Sequence, residues 1–151
     1  MFATTPHPFT ASRAPTAGGP GARYYSSVGA VSGVEDASPH KLVGLLLGAV
    51  QSEIAAARGA IARRDIAEQC RAIAHALRIV DEGLLGPLDL ARGGVLAGNL
   101  HDLYQYVVGR LTAANINTDD AALAEAGRLI ATIADGWNGI AAQVDATVRP
   151  A

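Results

Sequence analysis

The chain has 151 residues, half of them hydrophobic, enough for one domain with a real core and too few for two. A formal charge of -2 leaves no basic surplus to neutralise phosphates, which argues against a nucleic-acid partner. The single cysteine, Cys70, forms no internal disulfide and no paired thiol site for a metal, which suits a reducing cytoplasm.

Residues 1–23 hold Pro6, Pro8, Pro15 and Pro20 among Gly, Ala, Ser and Thr, without an apolar period. They read as a disordered leader. No basic and apolar signal pattern follows Met1, so no secretion signal is expected. The longest apolar stretch, near Leu42 to Val50, is about half of the ~20 residues that span a bilayer, so no membrane insertion is expected.

Helical spacing begins at Ser38, a fitting N-cap followed by Pro39 at the first helical position, and helix one runs to about Arg64. Its apolar residues fall into two stripes, Leu42, Leu46 and Ala49 beside Val43, Leu47, Val50 and Ile54. Together they cover roughly twice the ~100° arc that a core-facing surface helix needs. Either the helix is buried on both sides, or one stripe accepts a helix from a partner.

Helix two starts at Asp65, with Ile66, Cys70, Ile73, Leu77, Val80 and Leu84 on one face, and stops at Gly86 and Pro87. Helix three, from about Gly94, places Leu96, Leu100, Leu103, Val107, Leu111 and Ala114 on one face and is capped near Asn115. Helix four follows Asn117, Thr118, Asp119 and Asp120, with the stripe Leu123, Ala126, Ile130, Ile133, Trp137, Ile140 and Val144. Short links between long amphipathic helices predict an all-α fold, an antiparallel up-down four-helix bundle. Its expected extent is 24–145, with 146–151 a flexible tail. Gly44, Gly48, Gly109 and other glycines inside the predicted helices imply modest stability.

No enzymatic pattern emerges. None of Glu53, Glu68, Glu82 or Glu125 has a histidine three residues later, as a di-iron bundle requires, and no phosphate loop, metal-binding His pair or nucleophile elbow occurs. No catalytic, cofactor or metal residue is expected. His40 and His101 read as solvated. His75, three residues before Arg78, resembles the phosphorylated position of histidine phosphotransfer bundles, although Ile79 and Val80 stand where a small residue normally leaves room for the receiver domain. That is the alternative function.

Two stretches are more specific. Ala37, Ser38, Pro39, His40, Lys41, Leu42 and Val43 resemble the Ala-Ser-Pro-His-Lys-Leu-Ile signature of the flagellin-specific secretion chaperones, the FliS family. Asn99, Leu100, Leu103, Tyr104, Tyr106, Arg110, Leu111, Ala114 and Asn115 are similar to that family's second signature, in register. Tyr24, Tyr25, Gly93, Gly94 and Trp137 add to the resemblance, which covers 24 to about 141. Leu47 and Gly48 replace the usual tyrosine and aspartate, and Asp135-Gly136 the usual acid-alanine.

The resemblance implies a four-helix bundle with a small N-terminal cap. It further implies a cytoplasmic chaperone that binds the C-terminal segment of flagellin, prevents premature polymerisation and presents the subunit to the flagellar type III export gate. The client would contact the stripe Val43, Leu47, Val50 and Ile54, or Tyr104, Tyr106 and Arg110, with Tyr24 and Tyr25 covering the groove when it is empty. A monomer or weak homodimer is expected.

Overall fold

A computed structural model describes residues 38–148, with side chains described as far as Ile140. The leader, Tyr24, Tyr25 and the N-terminal cap lie outside the described residues. Four long helices follow in order: α1 (Pro39–Arg63), α2 (Ile66–Arg78, continued by a π-helical stretch over Ile79–Leu85), α3 (Leu90–Asn117) and α4 (Asp120–Val148). No strand occurs among the described residues. The last helix runs on to Val148, two residues before Pro150.

Each start carries a short polar cap. The Ser38 hydroxyl accepts from the Lys41 N–H at 3.2 Å, Asp65 from Glu68 at 3.1 Å, Asp89 from Arg92 at 3.0 Å and Asp119 from Ala122 at 3.2 Å. These bonds satisfy amides that the first helical turn leaves unpaired. Arg64 and Thr118, with φ of 56° and 52°, turn the chain out of α1 and α3 in the left-handed conformation. Thr118 rather than Asn115 is thus the cap of α3.

Gly94 has φ 55° and ψ -136°, inaccessible to a side chain without strain, and a Cβ on Gly93 would lie 2.4 Å from that of Ala97. The glycine pair lets the Leu90–Arg92 turn fold tightly onto the start of the straight part of α3.

The helices run antiparallel, and each packs on its chain neighbours, with α1 closing the ring on α4. One core runs through Leu46, Leu47, Val50, Ile54, Ile73, Val80, Tyr104, Val107, Leu111, Leu123 and Ile130. By length and composition α1 is apolar enough to cross a bilayer, the one such helix among the described residues. Its two stripes instead pack against α2 and α4: Leu46, Leu47 and Val50 are fully buried, Ile54 nearly so, and Val43 and Ala49 lie partly buried against the same core. The double stripe belongs to a helix held from both sides.

Polar contacts tie the ring together. Arg58 on α1 grips Asp120 at the start of α4 through Nε and Nη2, at 2.8 and 3.1 Å. Trp137 on α4 donates its indole N–H to the His40 carbonyl at 2.8 Å and stacks on the His40 ring, with centroids 4.4 Å apart. His40 is therefore partly buried against Trp137, not the solvated residue that its place in the first turn suggested.

Candidate functional site

The outer flank of α3 stands out because its apolar residues are not needed by the core. The inner face of this helix is Ala97, Tyr104, Val107, Leu111 and Ala114, all buried. A second stripe lies beside it: Leu96 is 61% exposed, Leu103 37% and Tyr106 48%, interleaved with Asn99 and Arg110. Positions 96, 99, 103, 106 and 110 alternate steps of three and four, the spacing that keeps a seam on one side of a helix and lets it receive another. Val95, 82% exposed, adjoins Leu96, and Leu90, half exposed, precedes the glycine break. A run of large exposed apolar groups with a polar margin is characteristic of an interaction surface.

Helix α4 supplies the polar edge. The Tyr106 hydroxyl donates to Glu125 Oε1, and Arg110 Nε lies 2.9 Å from Glu125 Oε2. The hydrogen bond to this carboxylate, burial and the nearby negative charge raise the Tyr106 phenol above the ordinary tyrosine range, against a smaller opposing effect of Arg110. The Arg110 and Glu125 side chains are each about a third exposed, so their pairing orients groups more than it stabilises the fold.

The structure separates residues that the sequence grouped. Residues two positions apart on a helix point about 200° apart, so Tyr104 and Tyr106 cannot share a flank. Tyr104 is 2% exposed and belongs to the core, whereas Tyr106 faces out. Leu47, Val50 and Ile54 are buried, and Val43 is partly buried, so this stripe presents no free surface to a partner in the observed conformation. Of the expected contact residues, only Tyr106 and Arg110 come together on an exposed face, while Tyr24 and Tyr25 lie outside the described residues.

Leu96 and Leu103, assigned to the core from periodicity, join them, and Glu125 was missed. The signal for the leucines was present: α3, like α1, has a second stripe, offset from the first by one position. Nothing in sequence spacing links Glu125 to Tyr106, because they meet only across the α3–α4 seam.

His75 is exposed, with Nδ1 3.2 Å from Glu53 Oε1, and Arg71 bridges Glu53 and Glu68 beside it. A carboxylate at this distance opposes a phosphorylated imidazole by like-charge repulsion.

Comparison with known proteins agrees with the two signatures. The family described as "Flagellar protein FliS" matches residues 21–144, most of the chain. The chain belongs to the FliS family. It is 41% identical over 118 residues to the flagellar secretion chaperone FliSB of Pseudomonas aeruginosa, covering 78% of this chain and 93% of that protein. It is 36% identical over 120 residues to the flagellar secretion chaperone FliS of Salmonella typhimurium, covering 80% and 89%. The Escherichia coli FliS is 34% identical over 119 residues, 78% of this chain and 86% of that protein. The FliS match takes in all of α1, α2 and α3, both signatures, and α4 past Trp137.

Proposed function

We propose that this chain is a cytoplasmic, non-enzymatic export chaperone that binds the C-terminal segment of flagellin on the outer flank of α3. Binding there blocks premature polymerisation and delivers the subunit to the type III export gate. The observation that carries the reading is the exposed seam of Leu96, Leu103 and Tyr106 on a member of a family whose relatives are named flagellar secretion chaperones.

A segment that is disordered before binding must offset an ordering cost of about 2–5 kcal/mol or more. Burying the exposed parts of Leu96, Leu103 and Tyr106 works against that cost, each by less than the roughly 1.5–3 kcal/mol of a fully exposed side chain. Tyrosine suits such a face, since its ring is buried by a partner while its hydroxyl keeps its bond to Glu125. In the same reading Tyr24 and Tyr25 cover the seam when no client is present, and the free chain is a monomer or weak homodimer, because a second copy competes for the same apolar surface.

Calorimetric titration of the full chain with the C-terminal segment of its cognate flagellin tests this. Saturable one-to-one binding in the micromolar range or tighter is expected. Absence of saturable binding overturns the reading.

A further inference from the structure

The edge of the seam is held from the neighbouring helix. We propose that Glu125 of α4 is a positioning and specificity-determining residue of the client surface, which holds Tyr106 and Arg110 along the α3–α4 seam and masks the arginine's charge. The proposal rests on the flagellin-binding reading above.

The geometry is specific. Both carboxylate oxygens of Glu125 are used, Oε1 by the Tyr106 hydroxyl and Oε2 by Arg110 Nε. Tyr106 and Arg110 are one helical turn apart on α3, so one residue on α4 holds two side chains that continue the seam beyond Leu103. A half-exposed tyrosine with no anchor samples several rotamers, and ordering it on binding opposes affinity. Anchored beforehand, it presents a fixed ring edge to the client.

The second effect is on charge. An unpaired arginine at the end of an apolar seam attracts acidic segments of any sequence. Paired with Glu125, it offers little net charge, and apolar complementarity decides what docks. Glu125 thereby favours an apolar helical segment over an acidic one.

The test is titration of the flagellin C-terminal segment into the unmodified chain, Glu125→Ala, Glu125→Gln, Tyr106→Phe and the Tyr106→Phe/Glu125→Ala double variant, at low and high salt. Glu125→Ala should weaken binding about tenfold, whereas Glu125→Gln, which keeps an acceptor for the hydroxyl, should recover most of that loss. The double variant should lose less than the sum of the two single losses, because both changes remove the Tyr106–Glu125 bond and only the Arg110 pairing is lost in addition. Both Glu125 variants should bind an acidic control peptide more tightly than the unmodified chain at low salt, and lose the gain at high salt.

Ultraviolet titration should show the Tyr106 phenol returning to the ordinary tyrosine range in Glu125→Ala. A simple loss of stability would produce neither the glutamine rescue nor the gain for the acidic peptide. Equal client affinity in Glu125→Ala and the unmodified chain, additive effects in the double variant, or an unchanged phenol titration overturns the positioning role and leaves the chaperone reading standing. Failure of the unmodified chain to bind overturns both.

Discussion

Helices α1 and α3 both carry more apolar surface than one core face needs, and the structure uses it in opposite ways. Each carries two apolar stripes. In α1 both are used, because α2 packs on one side and α4 on the other, leaving Leu46, Leu47 and Val50 without exposed surface. In α3 only the stripe through Tyr104, Val107 and Leu111 meets the core, and the stripe through Leu96, Leu103 and Tyr106 faces outward. An apolar surplus is therefore a property of a helix and its neighbours together. The more apolar helix is the structural one.

The largest expected effect tests the structural half of this contrast. Leu47→Ala removes a fully buried side chain from α1 and should cost about 2–5 kcal/mol in urea unfolding, through lost transfer energy and the cavity left behind. A cost under 1 kcal/mol would mean that this stripe is not core.

Next comes the break that starts α3. Gly94→Ala forces a side chain into φ 55°, ψ -136° and should destabilise by about 1–3 kcal/mol, read in the same experiment. The opposite sign is expected in the middle of α1, where a Cβ on Gly48 meets nothing within 4 Å. Gly48→Ala should stabilise by about 0.5–1 kcal/mol. If it destabilises, a neighbour occupies that space.

The smallest effect concerns the pin between α1 and α4. The hydrogen bond from Arg58, aided by its charge, holds the Asp120 carboxyl below its ordinary range. A depressed folded value means that the contribution is full above the ordinary aspartate range and is lost as pH falls through the folded value. Stabilities of Asp120→Asn and the unmodified chain should therefore differ near neutral pH and converge in acid. A difference that persists in acid contradicts this assignment.

Much of the bundle was legible from local rules. Ser38, Asp65 and Asp119 mark helix starts because short polar side chains satisfy free amides, and the structure uses them so. The candidate surface was legible only in part. Tyr106 and Arg110 belong to the family signature, but periodicity placed Leu96 and Leu103 inside, on one face with Val107 and Leu111, from which the structure separates them.

What separates the stripes is that Ala97 and Tyr104 are buried where leucines were expected, a matter of packing against neighbouring helices that no single helix records. Tyr104 read as a partner contact because it stands beside Tyr106 in the family signature, yet it is 2% exposed and belongs to the core. Glu125 was invisible for a similar reason: its two partners sit on another helix.

The most direct test of the central claim combines binding and stability in one variant. Leu96→Ala/Leu103→Ala trims the outer stripe of α3 and leaves the inner one intact. Calorimetry with the flagellin C-terminal segment should show affinity weakened tenfold or more, on the order of 1.4 kcal/mol, with a stability loss well below that of Leu47→Ala. Undiminished affinity in this variant would contradict the assignment of the client surface to α3.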